Sequence, residues 1–332
     1  MSLNDPAVRD VASPMTISLA RSREATARPW GLLLAFAIVY VVWGSTYLAI
    51  RFAIESIPPL LMAGTRFLAA GGLLYLWTLR RGATSAGPIA GARSATRAQW
   101  KGAVLTGLFL ITASYGLVSW AELTVPSGIV ALVTGMTPLW MVVIPWLARR
   151  THRPPPLVLA GIGLGLAAQA LLFGVGSVDR IDPWGLSAVV LAGIAWAIGS
   201  LRARRDDLPA DPILSSALQM LTGGLVLVLL GLLVGEGARF SLESMTRRSV
   251  LAWMYLVVAG SMVAYSAYLY LLKVTSPARA STYAYVNPIV AVFLGWLLAG
   301  EPIGRRTVIA MVLTLLAVMT IAKGAATSDH QL

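Results

Sequence analysis

An all-helical membrane protein of ten spanning helices, built as two inverted five-helix halves around a central cavity, is the fold class this sequence predicts. Three observations carry it. Of the 332 residues, 57% are hydrophobic and 12% charged, about half the charge that covers a water-facing surface. The apolar residues gather into runs of spanning length, since ~20 residues cross a bilayer as a helix. The second half of the chain also repeats the first after an odd number of runs. Alternation of apolar and polar residues persists nowhere, which argues against a barrel of strands.

Taken in order, residues 1–29 are polar, mixed in charge (Asp5, Arg9, Asp10, Arg21, Arg23, Glu24, Arg28) and lack the apolar core of a cleaved signal, so they read as a cytoplasmic tail. Ten apolar runs follow near 30–52, 58–79, 100–121, 126–148, 155–173, 183–200, 212–235, 249–272, 280–299 and 305–322. The first half then covers 30–175, the second 183–323, and residues 324–332 form a second cytoplasmic tail. Pro138 and Pro288 fall inside the fourth and ninth runs. Each removes one backbone hydrogen bond and crowds the carbonyl four residues earlier, at Thr134 and Ala284, so kinks are expected there. Two readings stand for them: hinges that let two gates open alternately, or fixed bends that shape a cavity.

The formal charge of +12 raises the question of nucleic acid. Its placement gives a different answer. With the N-terminus inside, 18 of the 26 basic residues fall on cytoplasmic tails and loops, against seven outside (Arg51, Arg180, Arg239, Arg247, Arg248, Arg305, Arg306), and Arg66 lies within the second run. The 14 acids divide equally. The excess is a topology signal, and no basic stripe on a soluble domain exists to hold nucleic acid.

The repeat is explicit. Pro29-Trp30-Gly31-Leu32 returns as Pro183-Trp184-Gly185-Leu186 at an offset of 154, Trp43 and Arg51 pair with Trp196 and Arg204 at 153, and Gly71-Gly72 pairs with Gly223-Gly224 at 152. Tyr115, Pro138, Trp146 and Leu147 match Tyr265, Pro288, Trp296 and Leu297 at 150. Five runs per half put the second half upside down, the architecture in which one fold presents related shapes to the two sides of a membrane. Such a monomer is sufficient by itself.

Several chemistries are excluded. There is no Cys, so no disulfide, thiolate metal site or Cys nucleophile. The two histidines, His152 and His330, lie outside the apolar runs, which leaves no histidine metal centre. No P-loop is present. Without a nucleophile or an acid–base constellation inside the membrane, the chain does not read as an enzyme, and no bound cofactor is expected.

Polar and aromatic residues recur at helical spacing within the runs: Tyr40, Trp43 and Tyr47 on the first; Thr112, Tyr115, Ser119 and Glu122 on the third; Ser261, Tyr265 and Tyr268 on the eighth. Lipid tolerates such stripes poorly, so they suit a wet cavity lined by rings and hydroxyls. Rings offer apolar area and cation–π contact to an amino group, and hydroxyls hydrogen-bond a carboxylate. The alternative is an interfacial belt, the reading preferred for Trp30, Trp100 and Trp184 at run ends. Arg66 costs at least ~2.5–3.5 kcal/mol at mid-bilayer and should face the interior. It is either a cationic contact for a substrate carboxylate or a tie to helix-end carbonyls, Glu55 or Glu122; its repeat mate is Gln219. Gly161, Gly165 and Ala168, like Gly231 and Gly235, read as close-packing scaffold. Glu301 with Pro302 reads as a cap on the tenth helix.

Trp43-Gly44-Ser45-Thr46-Tyr47, Ile57-Pro58-Pro59, Met62-Ala63-Gly64, Arg66-Phe67, Val125-Pro126-Ser127-Gly128, the run Ser281-Thr282-Tyr283-Ala284-Tyr285-Val286-Asn287-Pro288, and Gly300-Glu301 together resemble the EamA family of the drug/metabolite transporter superfamily. The resemblance covers nearly all of residues 30–322 and is nearest to bacterial amino-acid exporters of the YddG type. It implies a multi-pass protein of the bacterial inner membrane that exports aromatic and other amino acids, such as Thr and Met, with broad specificity by alternating access. A multidrug or cationic-toxin exporter of the same family is the alternative. Thr46, Tyr283 and Asn287 join the candidate cavity residues on this resemblance. With Glu55 and Glu122 placed at outer run ends and no carboxylate deep in any run, a facilitator or exchanger is expected rather than a proton-coupled carrier.

Overall fold

The computed structural model describes residues 29–84, 95–148, 154–173, 182–275 and 282–329. His152, His330, Ser281 and most of both tails lie outside the described residues. Among the described residues the chain is helical throughout, without strands. Its long rods are α1 Trp30–Ala53, α2 Pro59–Arg81, α3 Arg97–Ala121, α4 Ser127–Leu147, α5 Pro156–Phe173, α6 Pro183–Ala203, α7 Pro212–Leu233, α8 Arg247–Val274, α9 Tyr283–Ala299 and α10 Arg305–Asp329. Seven of them, α1–α4 and α6–α8, are long and apolar enough to cross a membrane; α5 and α9 contribute shorter apolar helices, Pro156–Ala168 and Val286–Ala299. Large apolar side chains stand exposed along the outside, such as Leu33, Leu73, Leu76, Leu225, Leu229 and Phe293. On a soluble protein they would be aggregation sites, whereas here they give lipid its contact surface.

Two pairs of rods mirror each other, α2 against α7 and α5 against α10. Glycines set their approach. A Cβ on Gly64 would lie 2.7 Å from the backbone nitrogen of Val228 and 3.0 Å from the carbonyl of Gly224. On Gly161 it would meet the carbonyl of Ala317 at 2.9 Å. Gly235 is different: the seventh helix stops at Leu233, and Gly235 takes φ 79° beyond it, the left-handed turn that glycine adopts without strain.

The helix ends show how buried backbone donors are satisfied. The connections 53–59, 121–127, 173–183, 233–247 and 299–305 share one end of the bundle, here the odd-loop end. There Glu236 accepts from the amides of Leu60 (3.2 Å) and Leu61 (2.8 Å) at the start of α2. Glu301 accepts from the amide (2.9 Å) and hydroxyl (2.7 Å) of Ser127 and from the amide of Gly128 (3.1 Å) at the start of α4. The expectation that Glu301 caps the tenth helix is thereby corrected. That helix begins only at Arg305, four residues on, so the carboxylate turns instead to the free amides of a helix distant in sequence. Asp182 caps its own helix, α6, through Trp184 and Gly185, and also accepts from Thr124 at 2.8 Å.

The prolines behave unequally. The fourth rod is broken: its first piece ends at Thr134, a turn follows at Gly135 and Met136, and Thr137–Leu147 continues it. Pro138 occupies the first turn of that second piece, where a missing N–H costs nothing. Pro288 lies inside the continuous helix Tyr283–Ala299.

Three rods contain wide π turns: Ile38–Val42 in α1, Leu108–Tyr115 in α3 and Leu256–Tyr265 in α8. The last two end on the repeat mates Tyr115 and Tyr265, so the duplication extends to an irregularity of the backbone. Such turns concentrate at functional sites.

Gly64→Val should cost at least about 3 kcal/mol, because the clash is with backbone that cannot yield. Gly72→Ala, with nothing within 4 Å of the new Cβ, should be neutral or raise stability by up to about 1 kcal/mol. Thermal midpoints of the detergent-solubilised protein, read by size-exclusion chromatography after heating, separate the two.

Candidate functional site

The described residues enclose a central cavity with an empty volume of about 510 Å³. Its wall comes from both halves: Trp43, Thr46, Tyr47 and Ile50 on α1, Ser114, Tyr115 and Val118 on α3, Thr134 and Thr137 on α4, Gly193 and Trp196 on α6, and Tyr283 and Asn287 on α9. A volume of this order holds a small organic solute.

Rings dominate one side of it. Trp43 meets Trp196 edge-on with centroids 5.4 Å apart, and packs against Tyr268 at 4.9 Å and Tyr283 at 5.5 Å. Trp196 touches Tyr268 (5.4 Å), Tyr115 (5.8 Å) and Tyr265 (6.4 Å). Trp43 and Trp196 are repeat mates, and mates that touch each other must straddle the pseudo-two-fold axis. The cavity therefore sits on that axis. The indole nitrogens of both are buried without a partner, and an unsatisfied buried donor is a place where a ligand can gain a hydrogen bond.

Hydroxyls and amides supply the remainder. Tyr47 Oη lies 2.7 Å from Thr134 Oγ1, which ties α1 to the break in α4. Asn287 turns its amide nitrogen to the carbonyls of Tyr40 (2.9 Å) and Val39 (3.2 Å), in the π turn of α1 where the helical ladder is loosened. Tyr40 Oη lies 2.6 Å from Thr282 Oγ1.

Six of the twelve residues singled out from sequence line this cavity: Trp43, Thr46, Tyr47, Tyr115, Tyr283 and Asn287. The other six stand behind the wall. Thr112 donates to the carbonyl of Gly223 at 3.0 Å, tying α3 to α7. Tyr265 donates to Gln219 Oε1 at 2.6 Å, and Tyr268 lies 3.0 Å from Ser200 Oγ. Ser119 is buried with its hydroxyl unpartnered. Ser261 accepts from Arg66 Nε at 2.8 Å. The π turn at 108–115 explains part of this. A wide turn holds more than 3.6 residues, so a stripe counted at three and four residues drifts off a single face.

Arg66 is fully buried. Its guanidinium carbon lies 4.6 Å from the Phe67 ring centroid and 5.1 Å from that of Tyr115, and neither terminal nitrogen has a hydrogen-bond partner. Gly260 makes room for it, since a Cβ there would be 3.1 Å from Arg66 Nη2. The tie to helix-end carbonyls is not made, and Glu55 faces Arg248 at 3.4 Å instead. The repeat is visible here too: Arg66 of α2 stands over Tyr115 of α3, as its mate Gln219 of α7 binds Tyr265 of α8.

One premise drawn from sequence is corrected. Glu122 does follow the last residue of α3, but it is not at a solvent-facing end. It is fully buried and both its oxygens lack partners, while Arg51 donates to its backbone carbonyl. Position along the chain showed the helix end; it could not show that α1 and the 299–305 connection close over it. Ile50, Ser114, Val118, Thr134, Thr137, Gly193 and Trp196 were not singled out. Two signals were available, the hydroxyls on either side of Gly135 and the pairing of Trp196 with Trp43.

A bundle of membrane-crossing helices with a ring-lined chamber on the axis between inverted halves defines a multi-pass membrane transporter. The profile of the EamA-like transporter family matches residues 29–174 and again 183–323, and the chain belongs to that family. It is similar to the uncharacterized inner membrane transporter YedA of Escherichia coli K12, 38% identical over 291 residues that cover 87% of this chain and 90% of that one. The uncharacterized transporter YvbV of Bacillus subtilis is 24% identical, covering 82% and 84%, and protein PecM of Dickeya dadantii 24%, covering 84% and 88%. A crystal structure with 19% identity shares the fold at a TM-score of 0.61, covering 89% of this chain and 98% of that one. The protein is thus a transporter of the bacterial inner membrane and not an enzyme.

Tyr265→Phe should cost about 1–3 kcal/mol, because it strips Gln219 Oε1 of its donor in a buried site. Tyr255→Phe, on an exposed residue whose hydroxyl meets Ser45 at 2.6 Å, should stay within about 0.5 kcal/mol. Thermal unfolding of the two variants side by side tests the difference.

Proposed function

We propose that the protein exports amino acids of broad specificity, aromatic ones together with others such as Thr and Met, by alternating access through the central cavity. The observation that carries this reading is the chamber itself, about 510 Å³ with rings on one side and Thr, Ser, Tyr and Asn groups on the other. Ring faces accept side chains of differing shape and attract an ammonium group, and hydroxyls and the unpartnered indole N–H groups suit a carboxylate. Ten crossings, a monomer, and cytoplasmic N- and C-termini complete the proposal. The bias of basic residues supports that orientation, which makes the odd-loop end the outer one. The Trp43, Trp196, Tyr268 and Tyr283 cluster then lies toward the cytoplasmic side. Pro138 and the break at Gly135–Met136, with Pro288 in α9, are the places where the two halves bend.

A second reading, efflux of organic cations, has one specific observation in its favour: the buried, unpartnered carboxylate of Glu122 close to a cluster of rings.

In proteoliposomes, labelled Phe, Trp, Met and Thr should each show counterflow, and Trp43→Ala should lower the rates for Phe and Trp several-fold more than that for Thr, as about 1 kcal/mol of ring contact is lost. No counterflow of any of the four, with efflux of tetraphenylphosphonium, would replace the amino-acid reading by the second. Because the chain has no native Cys, single cysteines at Ser56 and Gly87 report orientation. An impermeant maleimide added to intact cells should label the first and not the second.

A further inference from the structure

Five buried polar atoms along α3 have no partner: both terminal guanidinium nitrogens of Arg66, the hydroxyl of Ser119 and both carboxylate oxygens of Glu122. Arg66 and Glu122 are each fully buried. Their charges act on one another, yet they do not form an ion pair. Leaving one buried charge unpaired costs several kcal/mol, and the chain leaves two, of opposite sign, in one neighbourhood. Both adjoin the cavity wall. Tyr115, which lines the cavity, lies under Arg66, and Val118, which also lines it, precedes Glu122 by one helical turn on the same rod. An α-amino acid presents the complement, a carboxylate and an ammonium two bonds apart.

We propose that Arg66 and Glu122 form the head-group site for a zwitterionic amino acid, Arg66 taking the carboxylate and Glu122 the ammonium, and that Glu122 holds a proton whenever the site is empty. The inference rests on the amino-acid reading above and adds to it a counter-ion. In the empty site a proton on Glu122 removes the cost of a buried, unpartnered anion. When the substrate arrives, its ammonium replaces that proton, which leaves to the compartment the site then faces. After the substrate departs on the other side, a proton from that side restores the acid. One amino acid out is thereby exchanged for one proton in, with no other species required. Four groups face the Glu122 carboxyl and set its behaviour. Arg51 and Tyr47 come from α1, Arg66 from α2, and Glu301 from the connection between α9 and α10. Glu301 is already engaged at the start of α4, and Arg51 holds the Glu122 backbone carbonyl. Arg66 keeps free donors. The sequence expectation of a facilitator or exchanger rested on there being no buried carboxylate, and Glu122 supplies one.

The test uses purified full-length protein in weak buffer with a pH indicator, and three probes: phenylalanine, phenethylamine and 3-phenylpropionate. Phenylalanine should bind at least tenfold more tightly than either truncated probe and release about one proton per molecule bound. Its affinity should rise about tenfold per pH unit through the range in which Glu122 titrates. Glu122→Gln should weaken phenylalanine about tenfold, release no proton and bind independently of pH. Should that variant fail to fold, the wild-type proton count and pH profile decide alone. Phenylalanine binding with no proton released overturns the inference and leaves the amino-acid reading standing, as does phenethylamine binding as tightly as phenylalanine. Binding of none of the three overturns both.

Discussion

Hydrocarbon offers no hydrogen bonds, so every amide and carbonyl in this chain must be satisfied by the chain. The rest of the structure follows from that constraint. Within the rods the helical ladder does the work. At the ends, where the first amides of each helix have no partner, carboxylates from distant connections take over: Glu236 on α2 and Glu301 on α4. These side chains bring together segments more than 170 residues apart, and they are the reason the odd-loop end is a closed layer.

Where the ladder is allowed to loosen, the site appears. The π turns of α1, α3 and α8 and the break in α4 free carbonyls that side chains then occupy, as Asn287 does with Val39 and Tyr40. Each irregularity is a local cost, and each lies beside a cavity residue or its support. The two halves also differ where function would need them to. Arg66 and Gln219 occupy mated positions over mated tyrosines, yet one is a charge with unpartnered donors and the other a neutral amide with its oxygen satisfied. The duplication supplied the frame, and divergence at one pair made the two sides inequivalent.

Much of the frame was legible because it is written in periodicity and composition. The apolar runs lie over the observed rods, and residues at offsets of 150 to 154, such as Trp43 with Trp196, mark the inverted halves. Helical spacing placed Trp43, Thr46 and Tyr47 on the cavity, since that part of α1 keeps regular geometry after its π turn. It did less well on α3, where the wide turn at 108–115 takes Thr112 to Gly223 on α7. Contacts that depend on which loop covers which helix end had no local signature. The sequence around Glu301 suggests a cap, but the choice between α10 and α4 is made by tertiary packing alone. The burial of Glu122 has the same origin.

The contact between Trp43 and Trp196 has a geometric corollary. Points on a rotation axis do not move when that rotation is applied, so if the two halves trade shapes, the residues straddling the axis travel least while distant helix ends travel most. These indoles act as a fulcrum. A substitution there would shift the energy of both arrangements by a similar amount and leave the balance between them nearly untouched, whereas the same change at the rim would tip it.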